Sequence, residues 1–454
     1  MPELTVRLVD RPATEGSGEL DGYWPSPWPA EDGGPTRRQA PAPGFAAQGL
    51  DLSTGRTLQA TTRSTFAPTM CVARDPGEVY LLSHTVGPDT VSWVERIHPE
   101  SLEPLVRSPD LPAGPFWPGG MAAHADGSLY VTYGRFCHRL DAESLQPIAS
   151  RALPRERPYN SLVVLPGGQL AMKDIGGGIG LNRLAEGVRG SELVILEPGT
   201  LDLIASVELP EGSIARLSAI GNDIYVVGEQ SCHRVRFDPA QGTLAVDPGW
   251  SPRYRTIDGQ TYGWDIVLSA GSGWFLDNGE GSEEFGGCYR GGGKSSAPLH
   301  LVRVSLPHGD RSGAAGGEPT VELVEVCGEP GGVVANPPMV DAERRIVVGY
   351  DSGHGVMTAW RFGEAGGGFE ALWQRQQDHA SHLLRWPGSG HVLSADFDRV
   401  RGVDVAVVFD IETGEEVDRV DTASPVQSVL FPAPGWSSDA YVCSLAAVSR
   451  VFTD

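Results

Sequence analysis

One two-strand unit recurs eight times along this chain and restricts what it can fold into. Each copy is a short apolar strand, a tight polar or glycine-containing turn and a second apolar strand, often with an aromatic. The copies read TMCVARDPGEVYLLS, GMAAHADGSLYVTY, SLVVLPGGQLAMKD, ARLSAIGNDIYVVGE, DIVLSAGSGWFLDN, PPMVDAERRIVVGYD, HLLRWPGSGHVLSAD and SVLFPAPGWSSDAYVCS. Equivalent second-strand positions are Tyr80, Tyr130, Ala171, Tyr225, Phe275, Val347, Leu393 and Val442, mostly 41 to 54 residues apart, with one interval of 72. Between these units lie other hairpins, such as VERIHPESLEPLV, HRLDAESLQPIA and AVVFDIETGEEVDRV. Alternating amphipathic helices are missing, which excludes a parallel α/β sheet.

Two hairpins per repeat make a four-stranded antiparallel sheet of about 40–50 residues, the size of a β-propeller blade. The last unit ends at Asp454 after three strands, while QGLDLSTGRTLQATTRS resembles an outer hairpin with no inner one before it. A ring loses its open edges only when its first and last strands pair in one blade. The expected fold is therefore all-β, a single propeller domain over 1–454 with eight blades, seven being the alternative. Residues 1–44 form a Pro-rich arm, 45–62 supply the closing strands against 439–452, and 63–454 build the blades.

The 59 glycines and 36 prolines fit a chain of many turns. A net charge of -23, with no Lys/Arg run longer than two, argues against nucleic-acid and anionic-membrane partners. The six cysteines are scattered and form no CxxC, so neither a disulfide scaffold nor a cysteine metal knuckle is expected. The N-terminus MPELTVRLVD lacks the apolar core of a signal peptide, and no apolar run is long enough to span a bilayer. The expectation is a cytoplasmic protein.

The turns DLSTGRT and DIETGEE resemble those of quinoprotein-type eight-bladed propellers, and the repeat-level resemblance covers most of the chain. The segment around His382 is loosely similar to blades of arylsulfotransferase-type propellers. The quinoprotein resemblance implies the fold and, in dehydrogenases of that type, a bound quinone. This chain departs from that pattern: it has no adjacent cysteines and no tryptophan closing those turns.

In a four-stranded blade, the lead-in to the inner strand and the loop after the second strand share one face, around the mouth of the central channel. The lead-ins bring Tyr159, Asn160, Trp264, Asp265, Asn336, His379, His382 and Gln427 there. The second-strand ends bring Lys173, Asp174, Asp277, Asn278, Asp351, His354, Asp396 and Asp398. Polar groups converging on a concave surface are what a ligand site requires. Phe116, Trp117, Tyr159, Tyr262 and Trp264 add an aromatic wall or, equally, caps at blade junctions. Long Gly-rich insertions after Asp174 and Asn278 lie on the same face and read as lids.

His382 is the proton-transfer candidate, with Asp265 and Asp396 as its carboxylate partners, because a carboxylate fixes an imidazole's tautomer. Tyr159, Asn160, Lys173, Trp264, Asp277, Asn278, Asn336, His354 and Gln427 are the substrate-binding candidates. No cofactor is expected; a divalent metal held by His354, His379 and His382 is the alternative. A nucleophile elbow is missing. The first reading is a small-molecule enzyme of cyclase, isomerase, lyase or hydrolase type acting on a partly apolar or aromatic substrate. The alternatives are a protein-interaction propeller and a metal- or quinone-dependent oxidoreductase.

Overall fold

The computed structural model describes residues 17–454 except 46–48, 54, 88, 116, 177–189, 280–286, 308–317 and 430; the side chains of residues 17, 18 and 160 also lie outside it. The strands form eight antiparallel sheets, one for each repeat. Blades are numbered here from the inner strand Pro68–Ala73. The eight second-strand positions marked in the sequence fall in successive blades, from Tyr80 in Val79–His84 to Val442 in Asp439–Cys443. Blade 1 carries an additional short strand, Leu111–Pro112, paired with Val91–Ile97.

The ring closes in blade 8. Leu58–Ser64 pairs antiparallel with Ala447–Thr453, placing Leu58 opposite Thr453 and Ser64 opposite Ala447. The closing strand thus occupies the end of the expected 45–62 span, runs two residues past it, and pairs in the last blade as expected. With this pairing Ala447–Thr453 has a partner on both sides, and Leu58–Ser64 is the outer strand of blade 8.

Burial falls from the axis outward. The first two strands of blade 1 are buried throughout, because neighbouring blades cover both faces. Outer strands such as Pro147–Ala152 and Glu416–Asp421 are exposed or half-buried along their length. The outer hairpins of blades 1, 2 and 3 place Leu102, Leu145 and Leu201 in the left-handed region (φ 64°, 56° and 62°), and all three are fully buried. Packing holds a conformation that a leucine otherwise avoids. Blades 4 and 7 put Gly242 and Gly414 in the same region, at φ 60° and 71°.

The N-terminal arm occupies the channel. Its groups bond inner-strand or lead-in groups of seven blades in turn. Ala73 N–H donates to Trp28 O (2.9 Å), Ala123 N–H to Pro29 O (2.7 Å), and Val164 N–H to the Tyr23 hydroxyl (2.7 Å). Ala219 N–H donates to Pro35 O (2.8 Å) and Leu268 N–H to Thr36 O (3.0 Å). Gln39 then donates through Nε2 to Pro338 O (2.8 Å), while Leu383 N–H and Arg385 N–H donate to its side chain and carbonyl. Innermost strands otherwise present unpaired amides to the axis, and buried amides need acceptors. A proline-rich segment suits this place: it offers carbonyls and brings few N–H groups of its own to satisfy. Four of the eight contacted residues, Ala73, Ala123, Val164 and Arg385, end their inner strands on the turn side, so the arm fills that half of the channel.

Candidate functional site

Above the arm lies a buried ionic network built half from the arm and half from the blades. Arg37 bonds Glu31, and also Asp32 (2.9 Å), Ser161 of blade 3 (3.2 Å) and Leu217 O of blade 4 (3.1 Å). Arg216, leading into blade 4, pairs with Glu31 at 3.3 Å and with Asp265 of blade 5 at 3.4 Å. His382, leading into blade 7, meets Asp32 with Nδ1 2.7 Å from Oδ1. Its ring also lies 4.2 Å from that of Phe431 in blade 8. Burial pushes the Glu31 carboxyl up, against the pull of Arg37 and Arg216. Burial acts the same way on Asp32, but His382 and Arg37 together hold that carboxyl below the usual range. Asp32, Arg37 and Gln39 all have left-handed backbones (φ 53°, 55° and 50°). Such conformations persist where the surroundings fix them, and they concentrate at working sites.

The structure brings His382 and Asp265 into one network, linked through Arg216, Glu31, Arg37 and Asp32. The direct carboxylate partner of His382 is Asp32, which sequence reasoning missed. Asp396 lies at the rim instead, accepting from the Asp378 amide (3.0 Å) and pairing with Arg419 (3.4 Å). The one trace of it in the sequence is WPSPWPAEDGGPTRRQ, a proline-rich run holding Trp24, Trp28, paired acids and paired arginines, and nothing in that run says where the segment packs.

Several predicted binding residues are fully engaged in holding their own loops. Asp277 accepts from the His300 amide (2.7 Å), the His300 ring (2.9 Å) and Gln260 Nε2 (2.8 Å). Asn278 accepts from Thr261 N–H (3.1 Å) and donates to Ala297 O and Pro298 O (both 3.0 Å). Lys173, fully buried, donates to Asp174 O and Ser213 O (both 3.0 Å). Burial pushes its amine down to about 8, although Asp174 and Asp265 oppose the shift. Tyr159 packs between blades 2 and 3 with Ala122, Tyr130 and Leu162. The Asn160 side chain, Phe116 and most of the two Gly-rich insertions lie outside the described residues.

The described end of the second insertion crosses the mouth. Gly287 O accepts from Gln427 N–H (3.0 Å), and the Gln427 side chain accepts from Tyr289 N–H (3.3 Å). Arg290 pairs with Asp378 at 3.1 Å and bonds His354 O. A loop rooted in blade 5 thus reaches blades 6, 7 and 8. Beneath this side of the ring, three buried polar atoms from successive lead-ins have no hydrogen-bond partner: Trp264 Nε1 (blade 5), Asn336 Nδ2 (blade 6) and His379 Nε2 (blade 7). Burial pushes the His379 imidazole down to about 3. Its Nδ1 faces Ala395 O at 3.3 Å, which assigns the proton to Nδ1 and leaves Nε2 an acceptor. Tyr350 packs edge-on to His379 with ring centres 4.3 Å apart. Trp117, Tyr262 and Trp264 belong to one apolar cluster with Val334 and Tyr350. An open polar groove lined by Gln230, Arg253, Arg255 and Gln260 includes none of the predicted site residues.

The groups present do not fit the bound quinone that the resemblance implies. The six cysteines are free and no two are neighbours in sequence, while the carboxylates at Asp174, Asp277 and Asp351 are already tied to backbone amides. Among the described residues, no helix is long and apolar enough to cross a membrane.

Searches against protein-family models and curated proteins find no match. Solved structures do match the fold. BamB from Moraxella catarrhalis is 11% identical with a TM-score of 0.53, covering 86% of this chain and 100% of that one. The Dos1 propeller is 9% identical with a TM-score of 0.52, covering 89% and 96%. The quinohemoprotein alcohol dehydrogenase from Comamonas testosteroni is 11% identical with a TM-score of 0.51, covering 96% and 81%. At these identities the likeness is one of architecture alone: the chain is an eight-bladed β-propeller.

Proposed function

We propose that this protein is a cytoplasmic small-molecule enzyme that works by acid/base chemistry in the mouth half of its channel. In this reading the arm is the floor and the 287–290 crossing is the roof. One observation carries the proposal: Trp264 Nε1, Asn336 Nδ2 and His379 Nε2 are buried without partners on three successive blades. Unpaired buried polar atoms are costly and rare, and a ligand that bonds them removes that cost. Two donors and one acceptor beside aromatic side chains fit a planar, partly apolar molecule bearing both a hydrogen-bond acceptor and a donor.

Asp32 fixes the His382 tautomer by accepting from Nδ1, which leaves Nε2 as the basic atom. A proton taken at Nε2 and returned to another substrate atom is the step shared by cyclisation, isomerisation, elimination and hydrolysis. Asp265 acts through Arg216 and Glu31 as a positioning residue.

The test is a thermal-shift screen of aromatic and heteroaromatic acids, amides and ketones. The expected result is a set of stabilising compounds whose effect disappears in Trp264→Phe and Asn336→Leu. With a turned-over hit, His382→Ala should lose about 10²–10⁴-fold in rate, and His391→Ala almost none. A screen without hits, or hits that survive both substitutions, rejects the reading.

A second reading is a protein-interaction propeller. It is favoured by the internal engagement of Lys173, Asp277 and Asn278, which leaves those mouth residues committed to the scaffold.

A further inference from the structure

A second cluster lies outside the channel, where the outer strand of blade 5 meets blade 6. Cys327 comes from the outer strand Val321–Pro330. Asp351 ends the second strand of blade 6, Ile346–Asp351, and His354 follows it in the turn. Cys327 Sγ is 3.3 Å from Asp351 Oδ2 and 3.5 Å from His354 Nδ1, and the latter two atoms are 2.7 Å apart. We propose that these three side chains form a binding site for a divalent transition metal, with Zn²⁺ the best match to the donor set.

The geometry supports this in three ways. First, a tetrahedral ion about 2.0–2.3 Å from nitrogen, oxygen and sulfur sets its ligand atoms about 3.4–3.6 Å apart. The sulfur–imidazole distance of 3.5 Å matches that spacing and the sulfur–carboxylate distance of 3.3 Å falls just short of it, while the carboxylate–imidazole pair, at 2.7 Å, has to open by about 0.7 Å. Second, the carboxylate is held in place. Asp351 Oδ1 accepts from Val333 N–H (3.1 Å), Gly353 N–H (2.9 Å) and His354 N–H (3.1 Å), which directs Oδ2 toward the other two ligands. Orientation of this kind by outer groups is how proteins tune metal ligands. The backbone comes close enough to do this because position 332 is glycine: a Cβ there would sit 2.5 Å from Oδ2. Third, the site is reachable. Asp351 is fully buried, but the His354 side chain is 29% exposed, leaving room for a water as fourth ligand.

Thiolate, carboxylate and neutral imidazole balance a divalent charge, and the mixture suits a borderline-soft ion over Mg²⁺ or Ca²⁺. On binding, the Cys327 thiol proton is released to solvent. The imidazole proton now between Nδ1 and Oδ2 is exchanged for one on Nε2, freeing the Nδ1 lone pair. No redox change is involved. The sequence conceals the site because Cys327 lies 24 residues before Asp351. His354 was one of three histidines expected to serve a metal; among the described residues, it alone of the three has two further ligand atoms beside it.

The test uses the full-length protein, stripped with chelator and titrated with Co²⁺ and then Zn²⁺. The expected result is one tight equivalent, a sulfur-to-cobalt charge-transfer absorption, and displacement of Co²⁺ by Zn²⁺. Cys327→Ser should abolish that absorption and weaken Zn²⁺ binding by about tenfold or more, and His354→Ala should weaken it comparably. Cys288→Ser should change neither. Circular dichroism confirms that each variant is folded. If the wild-type protein gives no charge-transfer band, or if the band persists in Cys327→Ser, the site does not exist.

Discussion

His382 and Asp32 are 350 residues apart in the chain and 2.7 Å apart in the fold. This pair ties the N-terminal arm to blade 7, and Arg37 extends the tie to blades 3 and 4. Asp32 therefore has two consequences, one for stability and one for chemistry. Asp32→Ala leaves Arg37 buried with one fewer counter-charge and His382 without its acceptor, and breaking such a buried pair costs about 3–5 kcal/mol. Urea denaturation should show that loss. A change below about 1 kcal/mol would mean that the network is well solvated, because exposed ion pairs contribute only that much.

Truncation separates the arm from the ring. Removing residues 1–44 takes away the channel filling but keeps the closing strand Leu58–Ser64. That variant should keep its β-sheet circular dichroism and melt at a lower temperature. Removing residues 1–64 deletes the strand paired with Ala447–Thr453 and should abolish cooperative folding. Equal melting of the two variants would contradict closure by this strand.

Stability should depend on pH through His379. Burial holds its imidazole down at about 3, against an ordinary value of 6.5, so the folded state stays neutral while the unfolded chain takes up a proton. The full contribution is present above about pH 6.5 and is lost as pH falls toward 3, at up to about 1.4 kcal/mol per pH unit. His84, pushed down by burial to about 4, acts in the same direction. His379→Gln should therefore show a smaller drop in urea midpoint between pH 7 and pH 5 than the wild type. An unchanged drop would place the acid sensitivity elsewhere.

The mouth crossing should respond to its anchors. Arg290→Ala and Gln427→Ala remove the side-chain bonds from residues 287–290 to blades 6, 7 and 8 and leave the main-chain bond from Gln427 N–H to Gly287 O. Limited proteolysis should then cut the 279–298 segment severalfold faster, with little change in melting temperature. Unaltered cleavage would mean that the segment is held by other contacts.

Most of the fold was legible because propeller blades repeat local chemistry. Tight turns and apolar pairs recur in each blade, and every marked second strand from Tyr80 to Val442 lies where the pattern puts it. The closing strand was legible too, because Leu58–Ser64 falls at the end of the segment expected to complete the last blade. The site was only partly legible. His382, Asp265, Trp264 and Asn336 are where a lead-in position must project, near the axis. The arm was not legible, because its residues follow no strand or helix period and their partners lie on seven different blades. Asp277, Asn278 and Lys173 look like site residues in the sequence but are occupied by loop atoms, and only coordinates reveal what a polar side chain already bonds.

The most direct test of the channel reading is to equilibrate the protein with a small-molecule metabolite extract, remove unbound solutes, denature it and identify what is released by mass spectrometry. The wild type and a Trp264→Phe/Asn336→Leu double variant of matched circular dichroism should be compared. The account predicts at least one planar, polar compound retained near one per chain by the wild type and lost from the variant. Identical release from the two proteins, or none from either, would contradict a small-molecule site in the channel mouth.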